Sequence, residues 1–303
     1  MSASITAPDF DFSRYVRDRA RLVNDALDRY TPTDSVHPTV LHAAMRYSLF
    51  AGGKRIRPLL CIASAEALGG TTEDVLPTAC ALEMVHTFSL IHDDLPAIDD
   101  DDYRRGLLTS HKKFGEAIAI LAGDALHTLA FTTIAMHQQA AQPTVIIEVI
   151  RRLALASGTL GMVGGQVDDI ASEGKAISAE VLRSIHARKT GALLNAAIET
   201  GALLANASEA DLVSLQRFGE QVGLAFQIVD DILDVTSDDA TLGKPTGSDE
   251  KNDKATYPKL FGLEASIGFA REASDAAIAA IRSFGPAAEP LRCFARFIVD
   301  REK

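Results

Sequence analysis

The chain of 303 residues is 47% hydrophobic and 6% aromatic, carries 41 acidic against 30 basic side chains, and has a formal net charge of −11. That balance argues against a nucleic-acid partner, which calls for a basic face to displace counterions, and the length lies near the upper limit for one hydrophobic core. Cys61, Cys80 and Cys293 are odd in number and lack metal-ligand spacing, so they read as reduced thiols of a cytoplasmic protein.

Nearly every segment between turn signals repeats with a helical period. It predicts helices over 12–30, 38–51, 58–69, 73–93, 114–138, 144–164, 178–204, 208–236, 255–283 and 287–301. Their ends are marked by Thr31-Pro32, Gly52-Gly53, Gly69-Gly70, Pro143 and Gly285-Pro286. No alternating strand candidate survives its neighbours, so the expectation is an all-α chain, a single helical domain over 1–303. The N-terminus lacks an apolar h-region, which argues against a signal peptide. Apolar runs such as AIAILAG stop at Asp124, short of a membrane span, so no stable membrane insertion is expected. One connection, 236–254, is long and rich in Gly, Asp and Lys, as functional lids and disordered loops both are.

The stretch HDDLPAIDDDDYRRG, from His92 to Gly106, places six carboxylates between Asp93 and Asp102. Two like charges about 4 Å apart repel by roughly 4 kcal/mol at an effective dielectric of about 20. Such crowding needs either full solvation, as in a wet acidic loop, or a cation. A second cluster, FQIVDDILD, sets Gln227, Asp230, Asp231 and Asp234 at i, i+3, i+4 and i+7 on one face of an otherwise apolar helix. The first cluster likewise ends a mostly apolar helix, with His86 seven residues before Asp93 and thus on the same face. Carboxylate oxygens bind hard divalent ions, and Mg²⁺ takes one or two carboxylates, waters and substrate phosphate oxygens. Two acidic faces with separate basic groups therefore suggest a diphosphate held between metals. Mn²⁺ is an acceptable substitute, and Zn²⁺ is disfavoured because no His/Cys set has its spacing.

The basic groups carry two readings each. In GGKRIRP, Lys54, Arg55 and Arg57 either favour a helix C-terminus, with Pro58 opening the next helix, or form a diphosphate pocket through Lys54 and Arg57. Arg104 and Arg105 either neutralise the preceding acids or grip phosphate. Lys189-Thr190-Gly191 is either a helix irregularity or part of a site, and His86 alone reads as a core histidine.

Taken together, DDLPAIDDDDYRRG, QIVDDILD, GGKRIRP, GGQVDD at 164–169, the KTG at Lys189 and LGKPTGSDEKNDKATYP resemble, in order and spacing, the motifs of the trans-isoprenyl diphosphate synthases, from about residue 20 to the C-terminus. The resemblance implies the isoprenoid synthase fold, about ten helices around a deep central cavity, commonly as a homodimer. It implies about three Mg²⁺ ions, held by Asp93, Asp94 and Asp99 on one wall and by Asp230, Asp231 and Asp234 on the other. Arg104, Lys189, Thr190, Gln227, Lys244 and Lys254 would hold the allylic diphosphate, and Lys54, Arg57, His86 and Arg105 the isopentenyl diphosphate. Gln166 and Asp169 would face the cavity. The implied reaction ionises the allylic C–O bond, adds isopentenyl diphosphate to the cation and loses a proton to the departing diphosphate. The loop with Lys244 and Lys254 would close over the site.

Product length rests, by the same resemblance, on the residue about five positions before the first motif, here Phe88, with small Ser89 beside it. With Pro96-Ala97 inserted, this resembles bacterial farnesyl diphosphate synthases and a C15 product. On an ideal helix, however, Phe88 lies about 140° from Asp93 and Ser89 about 40°, so either more than one stripe lines the cavity or Phe88 is core. The alternatives are a geranylgeranyl diphosphate synthase and a non-catalytic modulatory subunit, which would be expected to have eroded aspartates. A terpene cyclase would lack the GGKRIRP site, and a calcium buffer would lack the basic pockets and show EF-hand spacing.

Overall fold

The computed structural model describes residues 10–236 and 255–301. Among these, the apolar periodicity is realised in fourteen α-helices. They are α1 (Phe12–Tyr30), α2 (Thr39–Leu49), α3 (Ile56–Ala67), α4 (Thr72–Asp93), α5 (Ser110–Phe114), α6 (Glu116–His137), α7 (Pro143–Ser157), α8 (Met162–Ser172), α9 (Ala179–His186), α10 (Ala192–Leu204), α11 (Glu209–Thr236), α12 (Tyr257–Phe261), α13 (Leu263–Ala280) and α14 (Glu289–Asp300). Lys244 and Lys254 lie outside the described residues.

Five departures from the sequence reading have local causes. The run 114–138 breaks at Gly115 and the run 255–283 at Gly262, both at positive φ, where glycine carries no steric penalty. The run 144–164 divides between α7 and α8 across Gly158–Gly161, and 178–204 carries a π-helical turn, Ala187–Gly191, between α9 and α10. Finally, Tyr103–Arg104 (β1) pairs antiparallel with Leu107–Leu108 (β2). Two residues per strand are too short to show alternation, and the hairpin is made by Arg105 and Gly106, both at positive φ.

α4 organises the interior. Thr71 caps it reciprocally with Asp74, and Val75 through Val85 are all buried, as expected of a helix apolar on every side. α4 packs on α3 and α6; α10 packs on α3, α7 and α11; α11 packs along α13. α6 is long and apolar enough to cross a membrane by length and composition, contrary to the sequence reading. Its Ala, Ile and Leu residues outweigh the interruption at Asp124, and in the fold one side of it covers α4.

A buried ion pair fixes the entry to α3. Arg55, at φ 54°, donates from Nη1 to Glu83 Oε1 of α4 at 2.6 Å, from Nε to Asn24 Oδ1 of α1 at 3.0 Å and from Nη2 to Leu49 O of α2 at 2.8 Å. Both charged side chains are almost fully enclosed, 3% and 2% exposed. Removing one partner of such a pair leaves an uncompensated buried charge. Glu83→Leu is therefore expected to cost about 3–5 kcal/mol of unfolding free energy in urea titration, with partial recovery in the Arg55→Met, Glu83→Leu double variant. A single variant within about 1 kcal/mol of wild type would refute the assignment.

Candidate active site

The helices enclose a cavity of about 880 Å³. Its walls come from the start of α3, the last third of α4, the β1–β2 hairpin, α8, the π turn, α11 and the C-terminal Arg301.

The acid run after α4 is divided three ways. Asp99 N–H donates to Asp93 O at 2.9 Å and Asp100 N–H to Leu95 O at 3.1 Å, so the loop folds back and brings Asp99 close to Asp93. Asp93 lines the cavity. Its carboxyl is pushed up to about 6, first by burial and then by Asp99 and Asp94, against the pull of Lys189 and Arg104. Asp94 turns away: it is buried and accepts from Arg104 Nε at 2.6 Å, while Asp101 Oδ2 stands 3.7 Å from Arg104 Nη2. Asp100 and Asp102 lie exposed beside His111, with Asp102 paired to Lys112 Nζ at 2.7 Å. Asp94, expected as a metal ligand, thus holds Arg104 through its carboxylate and is not among the residues lining the cavity.

The second cluster divides similarly. Asp230 lines the cavity and pairs with Arg301. Asp231, one position on, is buried, and its two oxygens accept from Tyr257 N–H at 2.9 Å and from Gln227 Nε2 at 3.2 Å. Gln227 in turn accepts from Thr190 Oγ1 at 2.8 Å. Asp231, expected as a metal ligand, and Gln227, expected at the allylic diphosphate, thus form a relay that holds Thr190 and α12, and neither is among the residues lining the cavity. Asp234, a turn further along α11, is half-buried and also does not line it.

Several of the basic groups converge on the cavity. Lys54, Arg57, His86 and Arg105 line the cavity, as do Arg104, Lys189 and Thr190. Arg57 is pushed down to about 10, first by burial, with Arg105 adding to the effect and Glu83 and Asp230 opposing it. Its Nε is buried without a hydrogen-bond partner among the described residues, a donor that an anion would satisfy. His86 is held well below its ordinary value, first by burial and then by Arg57 and Arg105, so it stays neutral. Burial alone would lower Arg104, but Asp94, Asp93 and Asp101 more than offset that.

The π turn is what presents Lys189 and Thr190 side by side. α8 packs directly on its backbone: a Cβ on Gly165 would stand 2.3 Å from Lys189 N, so a side chain there would push the turn away. Gln166 lines the cavity with its Nε2 unpartnered among the described residues. Asp169, expected to face the cavity, instead accepts from Lys189 Nζ at 2.6 Å and is not a lining residue. Phe88 and Ser89 both line the hollow, as do His86, Leu90 and His92. More than one stripe of α4 therefore faces it, which removes the angular difficulty.

Glu83, Phe226 and Arg301 are among the lining residues missed from sequence. Glu83 was visible as a lone acid in the apolar run ALEMVHTF. Phe226 reads as one more apolar position of α11. Arg301 donates to Phe226 O at 2.9 Å and lies 4.0 Å over the Phe226 ring; a basic residue near a chain end carries no local signal of this.

The donor set on the acidic walls, Asp93 with Asp99 close by and Asp230 on α11, consists of hard oxygens, and Asp93 is raised first by burial, which a bound cation would offset. Both features fit a divalent cation such as Mg²⁺.

A protein-family model described as polyprenyl synthetase matches residues 38–281. The geranylgeranyl diphosphate synthase of Cyanophora paradoxa is 50% identical over 294 residues, covering 97% of both chains. The farnesyl diphosphate synthase of Micrococcus luteus is 47% identical over 288 residues, covering 95% of this chain and 97% of its own. A solved geranyltransferase of Helicobacter pylori, complexed with magnesium and isoprenyl diphosphate, has a TM-score of 0.83 at 31% identity, covering 98% of each chain.

Asp93 gives the site a pH signature. Its folded-state value of about 6 exceeds the ordinary 3.8, so folding takes up a proton between the two, and stability falls as pH rises through that interval. Asp93→Asn removes the loss. Without metal, the variant is expected to melt a few degrees above wild type near pH 8 and together with it near pH 3. Calorimetry in EDTA showing equal melting temperatures at both values would remove the buried-charge reading.

Proposed function

The chain belongs to the polyprenyl synthetase family and is a prenyltransferase, and from that premise we propose that it condenses isopentenyl diphosphate with dimethylallyl and geranyl diphosphates to release farnesyl diphosphate. The observation that carries this reading is the placing of two basic groups and both aspartate walls around one hollow. One group, Arg104, Lys189 and Thr190, stands by Asp93 and Asp230 for the allylic diphosphate. The other, Lys54, Arg57, His86 and Arg105, takes the isopentenyl diphosphate.

The family is magnesium-dependent; Mg²⁺ held by Asp93, Asp99 and Asp230 would serve as Lewis acid and template for the diphosphate. Lys189 and Arg104 add fixed positive charge where the allylic C–O bond breaks and its electron pair leaves with the diphosphate. Arg57, through its unpartnered Nε, and neutral His86 position isopentenyl diphosphate so that its double bond reaches the allylic carbon. One proton is then lost, and the departing diphosphate is the base within reach of the reaction centre. Ile98, Met162, Val163, Val167 and Ile170 give the hollow an aliphatic lining that keeps water from the cation.

Phe88 supports C15: its ring enters the wall below Asp93 and is only 9% exposed. The competing product is C20, the one in the name of the Cyanophora paradoxa relative. A homodimer in the cytoplasm completes the proposal, supported by Ile120, Leu121 and Met136 of α6 and Ile147 and Leu155 of α7, all exposed.

The test is a product assay with Mg²⁺, isopentenyl diphosphate and each of the C5, C10 and C15 allylic diphosphates. C5 and C10 are expected to become C15, with C15 left unextended. Accumulation of C20 would reassign the length, and no turnover with any primer would overturn the catalytic reading in favour of a modulatory subunit. Asp93→Ala and Asp230→Ala are each expected to lower kcat by about three powers of ten with circular dichroism unchanged. Arg57→Ala is expected to raise KM for isopentenyl diphosphate more than KM for the allylic substrate, and steady-state kinetics giving the reverse would exchange the two pockets.

A further inference from the structure

We propose that His127, on α6, is a positioning residue that sets product length by holding Phe88 in the cavity wall. The proposal rests on the prenyltransfer reading above and deepens its account of specificity.

Phe88 is gripped from two sides. The His127 ring packs on it at a tilt, with centroids 4.7 Å apart and planes at 30°. His92, one turn along α4, meets Phe88 edge-on at 4.9 Å and 78°. Phe131 meets His127 edge-on at 5.4 Å and 83°. Of the α4 rings, Phe88 and His92 reach the cavity, while His127 and Phe131 do not line it. The two α6 rings are thus a backing layer, one side chain removed from any substrate.

His92 is fixed in this grip by a close approach of helices. Its Nε2 lies 3.0 Å from Ile120 O, and a Cβ on Gly123 would stand 2.3 Å from that nitrogen. His127 has a different kind of support. Its Nε2 is buried with no hydrogen-bond partner among the described residues, and burial holds the imidazole below its ordinary value, hence neutral. With no polar partner fixing that nitrogen, ring packing between Phe88 and Phe131 sets its orientation. An orphaned nitrogen is a cost, so this position contributes shape: a flat face against which the Phe88 ring is pinned. Aromatic pairs in such offset and edge geometries are worth about 0.5–1.5 kcal/mol beyond the area they bury.

The consequence concerns where Phe88 goes when its backing is removed. A side chain with two rotatable bonds relaxes into a void behind it, because filling a cavity is favourable. With His127 truncated, the Phe88 ring swings toward α6 and leaves the cavity wall. The hollow deepens although no residue lining it has changed, and the growing chain passes the point where it formerly stopped.

The test measures the chain-length distribution made by purified full-length protein from isopentenyl diphosphate and the C5 allylic primer. His127→Ala is expected to raise the ratio of longer to wild-type-length product by about tenfold, a 1.4 kcal/mol change in partition, with total isopentenyl incorporation retained. His127→Phe restores a flat ring against Phe88 and is expected to return the wild-type distribution. Phe88→Ala is expected to lengthen the product, and adding His127→Ala to it to change nothing further, since both act on one ring. Should His127→Ala fail to fold, His127→Val leaves a smaller void and is expected to give a smaller shift of the same sign. An unchanged distribution in a folded His127→Ala or His127→Val protein overturns the proposal. So does a double variant whose shift is the sum of the single ones. The wild-type product is read separately: C20 there would refute the C15 reading, while a further lengthening in His127→Ala would still support the role of His127.

Discussion

Placing the carboxylates of Asp93 and of Asp230, the latter 42% exposed, on the wall of one hollow creates a demand for positive charge, and much of the architecture is arranged around it. Carboxylates in a low-dielectric setting hold on to protons or recruit positive charge. Asp93 shows the first response in its raised titration, and Asp230 shows the second in its pairing with Arg301. Arg57, Arg104, Arg105 and Lys189 gather on the same surface. With so many arginines converging, the basic groups would repel one another were Glu83 not set among them with Arg55 as its fixed partner. Opposed charges gathered on one surface in this way are the arrangement expected of a site for a multiply charged anion and its metals.

The same constraint explains which carboxylates do what. Six acids in ten residues cannot all face one hollow, and the backbone distributes them. Asp93 and Asp99 are brought together by a loop closed on Asp93 O, Asp94 and Asp101 are spent on Arg104, and Asp100 and Asp102 return to solvent. On α11 the helical period sorts neighbours in the same way: Asp230 faces the cavity, while Asp231, a hundred degrees round, ties Gln227 and the start of α12. Each motif thus contains residues that meet the substrate side and residues that hold those in place.

How much of this was legible in the sequence follows from the range of the interactions. The helices, the acidic faces and the GGKRIRP pocket are local patterns and could be read. Gly115 and Gly262 were also readable in principle, yet apolar periodicity continued through them and masked the breaks. The inward and rearward halves of the aspartate motifs could not be separated, because the separation depends on Arg104 and Tyr257, which come from elsewhere in the chain. Arg301 was invisible for the same reason, meeting Asp230 from 71 residues away. The π turn left a faint trace as the glycine after Lys189-Thr190, but its geometry depends on Gly165 of α8 packing against it. Phe88 is the instructive case: ideal-helix angles set it apart from Asp93, and both still line the cavity because the hollow wraps a wide arc of α4.

α6 connects these features. One of its sides supplies His127, Phe131 and the carbonyl of Ile120 to the backing of the cavity wall, while Ile120, Leu121 and Met136 stand exposed on it. Ile120 belongs to both sets, its carbonyl bonded to His92 and its side chain in solvent. Under the proposed pairing of two copies, covering that side chain would immobilise the turn that positions His92, and with it the Phe88 grip. The floor of the cavity and the outer surface of the subunit are then two faces of one helix only about 10 Å across. A change that loosens α6 from outside has a direct mechanical route to the Phe88 ring, the proposed stop for the growing chain.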